Sequence, residues 1–208
     1  KHDDYFREAA TVCKSFGKPI ILSWNHEMNG DWYPFSEGFS AVTGKHSDWT
    51  AKRYVAVWRY IVNLFRAEGV RNVEFAWGPA TAGRKKPGLV PYWPGDAYVS
   101  WISPSVYNES PVDWLMQLAE LFPRFPLFVS EWATEPHRNK WYPGTYPGDA
   151  EWMQAMLSTV LTSNKQIRGM AYYQWTSDSQ LERVPAQVNA YRAAMADPRV
   201  VRGPWRPR

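Results

Sequence analysis

Two glutamates carry the chemistry this sequence makes available. Glu27 stands a few residues past the short apolar run Ile20 to Leu22, and Glu131 directly follows the apolar run Pro126 to Ser130. A buried parallel strand delivers side chains to a reaction site in this way, apolar along its length and polar at its end. A pair of acids at strand ends, in a cleft rich in Trp and Tyr, is what cleavage of a glycosidic bond requires. One acid protonates the leaving oxygen and the other attacks or activates water. A strand-end glutamate is as readily a surface or salt-bridged carboxylate, so position alone leaves both roles open. No zinc is implied: a zincin helix needs a second His four residues after the first, and the residue four past His26 is Gly30. Glu74 reads as mid-strand, Asp149 as a helix cap, and Glu109, Glu135 and Asp178 as loop acids, and no chemistry is assigned to them.

The elements that must position these residues alternate along the chain. Asp3 and Asp4 predict a helix N-cap, with Phe6, Ala9, Cys13 and Phe16 making a stripe that stops at Gly17. Lys18-Pro19 starts the first strand. After a polar, Gly-containing stretch, Ser47 or Asp48 can cap a second helix, with Tyr54, Trp58, Ile61, Val62 and Phe65 on one face until Gly69. Strand Val73 to Trp77 follows, then a Gly/Pro-rich loop from Thr81 to Gly95, then a strand from Tyr98 to Ile102 that Pro104 ends. Ser110-Pro111 fits the N-cap and first position of a helix through Trp114, Leu115, Leu118 and Leu121. Pro126 to Ser130 is the next strand, and a loop from Pro136 to Gly148 leads to a helix capped by Asp149, with Trp152, Met156, Leu157, Val160 and Leu161 inward. Met170 to Trp175 is a final strand, and Pro185 opens a last helix to about Ala196 that bears Val188, Tyr191 and Met195.

The order is a helix, then five strands each followed by a helix, with no hairpin signal and no repeat. Strict alternation implies an α/β class with a parallel sheet, and the crowding of polar and aromatic residues at the strand ends is barrel-like. A doubly wound nucleotide-binding fold competes with that reading. It needs an anion-binding glycine loop at a helix start, and no G-x-G-x-x-G or Walker sequence follows any strand.

Composition sets wider bounds. At 208 residues, 45% hydrophobic and 21% charged, the chain can bury one sizeable core and reads as a single domain, 1–208. Its 13 Trp, 12 Tyr and 9 Phe include several in polar, Gly/Pro-rich stretches where a core has little use for them, which favours a ligand with flat apolar faces. The net charge of +4 comes partly from Arg199, Arg202, Arg206 and Arg208, set among prolines. A Pro/Arg terminus of that kind is a solvated end, and no nucleic-acid partner is expected. Cys13 has no cysteine to pair with, and its place in a helical pattern makes it a packed thiol. No run approaches the roughly 18 apolar residues of a membrane span, and the first residues, Lys-His-Asp-Asp, contain no signal-peptide pattern, so neither a membrane partner nor an export signal is expected in these residues.

H-E-M-N-G-D-W-Y-P at residues 26 to 34 resembles the acid/base motif of glycoside hydrolase family 26, the β-mannanase family of the retaining (β/α)8 clan. A-V-W-R-Y at 56 to 60, N-V-E-F-A-W at 72 to 77, P-G-D-A-Y-V-S-W at 94 to 101 and S-E-W at 130 to 132 are similar in order and type. The resemblance implies the C-terminal part of a (β/α)8 barrel: five parallel strands with flanking helices, the strand ending at Glu27 being the fourth and that ending at Glu131 the seventh. It implies Glu27 as general acid/base and Glu131 as nucleophile. It also implies His26 beside the acid/base, Trp32 and Trp175 lining sugar subsites, and Tyr107 hydrogen-bonding near Glu131. Trp58, Trp114 and Trp152 lie on helical stripes and read as core.

The activity implied is endo-acting, retaining hydrolysis of a β-linked polysaccharide by double displacement, with β-1,4-mannan first among the substrates. Mixed-linkage β-1,3/1,4-glucan and β-1,3-xylan suit the same family, and a non-catalytic carbohydrate-binding relative is the alternative from another class. Sugar faces stacked on Trp need no charge, so no metal or organic cofactor is expected. A polymeric substrate implies extracellular or periplasmic action. A complete barrel takes about 250 residues and eight strands. Strands one to three have no counterpart here, and five strands leave open edges that isolated domains avoid. A complementary N-terminal segment or chain is therefore expected to supply them.

Overall fold

The computed structural model describes residues 2–40, 44–81, 88–108, 110, 112–134, 149–162, 166–174 and 185–200. The chain divides into two compact units, Lys1–Ser103 and Pro104–Arg208.

The first unit opens with helix α1, Asp3–Phe16, which ends at Gly17 in the left-handed conformation (φ 68°). Its N-cap is His2, with no side-chain cap bond, so Asp3 and Asp4 act from inside the first turn, where negative charge complements the helix dipole. Strand β1, Ile20–Ser23, lies parallel to β4, Val73–Trp77, in the register Ile20↔Val73 to Ser23↔Ala76. β5, Trp101–Ile102, pairs parallel with the far end of β4. Between β1 and β4 the polar stretch carries a short antiparallel pair, β2 (Gly38–Ser40) and β3 (Lys45–Ser47), where no hairpin was expected from sequence.

Helix α2, Ala51–Ala67, supplies the core of this unit. Tyr54, Trp58, Ile61, Val62 and Phe65 are all buried, each contributing about 1.5–3 kcal/mol of apolar burial. Trp58 and Phe65 pack edge-on against Phe75 of β4. The N-cap is Thr50, whose hydroxyl accepts from the Arg53 backbone N–H at 3.1 Å, rather than Ser47 or Asp48. Ser47 closes β3, and Asp48 pairs with the Arg53 guanidinium at 2.6 Å, whose hydrogen bond lowers its pKa.

The second unit is also strand then helix: β6 (Ser105–Tyr107), α3 (Asp113–Leu121), β7 (Leu127–Ala133), α4 (Asp149–Thr162), β8 (Ile167–Tyr172) and α5 (Pro185–Met195). β6 and β8 both run parallel to β7. The strand expected at Tyr98 to Ile102 is shorter, because Asp96–Tyr98 forms a 3₁₀ turn, and a further strand, β6, forms after Pro104. The N-cap of α3 is Val112 without a side-chain bond. Ser110 instead accepts the Trp152 indole N–H on its backbone carbonyl at 3.0 Å. Leu115, Leu127, Trp132, Trp152, Met153 and Met156 form the buried centre, whereas Trp114 is half-buried and Leu121 is exposed. The final strand runs from Ile167 rather than Met170, and Trp175 lies outside the described residues. Gly169 passes under Phe128, where a Cβ would lie 2.9 Å from the ring.

Candidate active site

Each of the two glutamates has its own surroundings, one in each unit. After β1 the chain turns sharply through Asn25 (φ 45°) and Glu27 (φ 56°), the only non-glycine residues with positive φ among those described. Asn tolerates the left-handed region through local hydrogen bonding, whereas a glutamate there carries roughly 1–2 kcal/mol of strain. What holds Glu27 in place is its backbone N–H, which donates to the Gly78 carbonyl just past β4 at 2.6 Å. Residue 78 must be glycine for this approach: a Cβ would lie 2.8 Å from the Ser103 carbonyl oxygen and 3.3 Å from His26 Cβ.

The rest of the H-E-M-N-G stretch braces that turn. Met28 is fully buried. The Asn29 carboxamide pairs with both backbone groups of Ala80, its Nδ2 donating to the carbonyl at 2.8 Å and its Oδ1 accepting from the N–H at 2.8 Å. Gly30 donates its N–H to the Glu27 carbonyl at 2.9 Å, and the Trp32 indole folds back across it. Trp32 Nε1 then donates to Glu27 Oε2 at 2.7 Å. The Glu27 side chain is thereby held in a nearly closed site, 7% exposed. His26 Nε2 hydrogen-bonds the Tyr33 hydroxyl at 2.9 Å, and Tyr33 stacks on Phe35 with ring centres 4.9 Å apart.

In the second unit Glu131 lies within β7, two residues before its end, and is half-buried. The Tyr107 hydroxyl donates to Glu131 Oε2 at 2.9 Å. Parallel pairing sets Ser105 opposite Glu131 and Tyr107 opposite Ala133, so the tyrosine reaches its partner diagonally. On the other side of β7 the register moves from Val129↔Met170 to Trp132↔Tyr172, three residues against two. The extra residue is a bulge at Ser130 and Glu131, a device that re-aims a side chain out of strict alternation.

The structure thus gathers His26, Glu27 and Trp32 in one cluster and Tyr107 with Glu131 in another. Tyr33, Asn29, Gly30 and Gly78 were not singled out from sequence. The first three lie within the motif, and nearness to Glu27 was an available signal for Gly30 alone; the roles of Tyr33, Asn29 and Gly78 depend on partners that folding brings. No group of three His, Cys, Asp or Glu that could hold a metal ion occurs among the described residues.

The model of glycosyl hydrolase family 26 matches residues 7–131, a span that starts in α1, includes Glu27 and closes on Glu131. The chain belongs to glycosyl hydrolase family 26. It is 29% identical to endoglucanase H of Acetivibrio thermocellus over 218 residues, which cover 94% of this chain and 22% of that protein. It is 21% identical to the β-1,3-xylanase TXYA of a Vibrio species, over 90% of this chain and 45% of that protein. The chain therefore spans less than half the length of these curated relatives. Among solved structures, an endo-β-1,4-mannanase of Cellulomonas fimi matches with a TM-score of 0.65 at 19% identity, over 94% of this chain and 46% of that one. GH26C from Muricauda sp. MAR_2010_75 matches with a TM-score of 0.62 at 20% identity, over 96% and 57%. The fold of this family 26 chain is that of part of a (β/α)8 barrel, with parallel strands and flanking helices.

Proposed function

We propose that this chain carries the acid/base and the nucleophile of a retaining glycoside hydrolase that cleaves β-1,4-mannan within the polymer. The observation that supports this best is the treatment of the Glu27 and Glu131 carboxyls. Each accepts a hydrogen bond from an aromatic donor, Trp32 Nε1 on Glu27 at 2.7 Å and the Tyr107 hydroxyl on Glu131 at 2.9 Å. A structural surface glutamate needs no such fixing. Protonated Glu27 delivers its proton to the glycosidic oxygen as a Glu131 oxygen attacks the anomeric carbon, giving a covalent glycosyl-enzyme. Glu27, now a carboxylate, takes a proton from water, whose oxygen displaces Glu131. This double displacement calls for carboxyl groups ~5–5.5 Å apart. A complementary N-terminal segment or chain supplies the remaining strands, and the size of the polymer puts the action outside the cytoplasm.

Mixed-linkage β-glucan and β-1,3-xylan are the competing substrates, and the names of the curated relatives, an endoglucanase and a β-1,3-xylanase, favour testing both. Reducing-sugar release by the full-length protein from the three polysaccharides, with product sizing, separates them; mannan is expected to be the fastest, giving internal fragments. Glu27→Gln is expected to lower the rate about 10²–10⁴-fold and Glu131→Gln at least as much. Retained oligosaccharide binding in both variants completes the expected pattern. Undiminished turnover in either one removes that residue from the mechanism.

A further inference from the structure

We propose that Trp32 is a positioning residue for Glu27, fixing which carboxyl oxygen carries the transferable proton, and that Gly30 is there to let it do so. This rests on the reading of Glu27 as the acid/base. The sequence resemblance implies only that Trp32 lines a sugar subsite. In the structure the indole is turned so that Nε1, its one polar atom, meets Glu27 Oε2 at 2.7 Å. An indole N–H donates and never accepts, so Oε2 is the accepting oxygen in both protonation states, and the proton of the neutral acid sits on Oε1. The turn that brings residue 32 back to residue 27 is closed by the Gly30 N–H on the Glu27 carbonyl. A Cβ at position 30 would lie 2.6, 2.7 and 2.8 Å from three atoms of the Trp32 ring. Any side chain there displaces the indole from the carboxyl group. A stacking platform alone would need neither the directed N–H nor the bare position beneath it.

The donor acts on the chemistry in a defined direction. As Glu27 gives up its proton, negative charge develops on the carboxyl group, and a preset donor in a closed site stabilises it. Removing that donor favours the neutral form and raises the pH at which Glu27 ionises. Trp32→Phe keeps an aromatic face and loses only the N–H, whereas Gly30→Ala keeps the indole and pushes it away.

The test uses the full-length protein, with ¹³C-labelled glutamate to follow the Glu27 carboxyl by NMR, ¹⁵N-labelled indole to follow Trp32, and mannan hydrolysis as a function of pH. In the wild type the Trp32 Nε1–H resonance is expected to titrate together with Glu27, and in Glu27→Gln to be flat. In both Trp32→Phe and Gly30→Ala the Glu27 titration and the alkaline limb of kcat/KM are expected to move to higher pH. Each variant should lose kcat by roughly 10- to 100-fold, as for a hydrogen bond to a charged group, with KM changed only a few-fold. A wild-type indole resonance that ignores the ionisation of Glu27 overturns the proposal without relying on any variant. So does a Trp32→Phe variant with raised KM and an unmoved alkaline limb, which would make Trp32 a sugar platform alone. Full activity of Glu27→Gln would instead remove the acid/base reading and leave the indole titration standing.

Discussion

Glu27 is held by groups distant in sequence, and the residues that hold it explain what could be read in advance. That a glutamate follows each of two apolar runs was legible, and the motif around Glu27 is specific; that β7 continues through Glu131 to Ala133 was not, because the strand's polar end hides its extent. Asn29 was not, since its partners are the backbone groups of Ala80, 51 residues away, and no spacing rule reaches that far. Tyr33 reads as one more aromatic until it meets His26. The role of Asn29 can be measured. Asn29→Ala leaves the Ala80 N–H and carbonyl buried without their partner, at about 1–3 kcal/mol for each of the two groups, so the variant is expected to lose roughly 2–6 kcal/mol. Urea unfolding of the full-length protein reads this directly. A loss within 0.5 kcal/mol, about what an ordinary surface substitution causes, would mean that the carboxamide is not what braces the turn.

At the scale of elements, helical periodicity identified α2 and its five buried residues correctly, because that face packs on β4 of its own unit. The same reasoning on α1 expected Phe6, Ala9, Cys13 and Phe16 to face inward. Ala10 is the buried residue, the first three are half-buried and Phe16 is 58% exposed. Periodicity says which residues share a face, and only packing says what covers it. The bulge at Glu131 escaped for a related reason, since register depends on the neighbouring strand. The aromatic face of α2 carries its own pH dependence. Burial pushes the Tyr54 hydroxyl well above the ordinary tyrosine range, and this hydroxyl has no hydrogen-bond partner among the described residues. Tyr92, at the end of the 3₁₀ turn Val90–Tyr92, is pushed up by burial and then by its 2.6 Å hydrogen bond to Glu37. Above pH ~10 the unfolded chain releases phenolic protons that the folded state keeps. Stability is therefore full below that pH and falls as pH rises through it, by up to about 1.4 kcal/mol per pH unit for Tyr54 alone. Urea midpoints between pH 8 and 11 should show the decline, and Tyr54→Phe should make it shallower. An identical slope in that variant would assign the decline to other groups. The same substitution removes an unsatisfied buried hydroxyl and is expected to raise stability at neutral pH.

For the whole molecule, the open side of β1 matters most. Ile20, Ile21 and Leu22 form the kind of unbroken apolar run that parallel sheets cover on both faces, yet all three are only half-buried. β1 stands at the end of its sheet and pairs with β4 alone among the described residues. On α1, Tyr5, Val12 and Phe16 follow one another at helical spacing and are 68%, 60% and 58% exposed. An open strand edge and an uncovered apolar helix face are each surfaces that polypeptide covers, by pairing with the edge and by packing on the helix. The solved family members have about half their length beyond the part matched here, 54% of the Cellulomonas fimi chain and 43% of the Muricauda one. A complementary segment or chain on this side is expected to make the difference between a marginal and a stable protein. Residues 1–208 alone should then unfold with low cooperativity, self-associate and lack hydrolytic activity. In the full-length protein the amides of Ile20 to Ser23 should be strongly protected from hydrogen exchange, and in the isolated 208 residues they should exchange rapidly. The comparison needs only exchange mass spectrometry and sedimentation of the two forms. A monomeric, cooperatively unfolding and active 208-residue chain, with β1 protected equally in both, would show that this edge needs no partner.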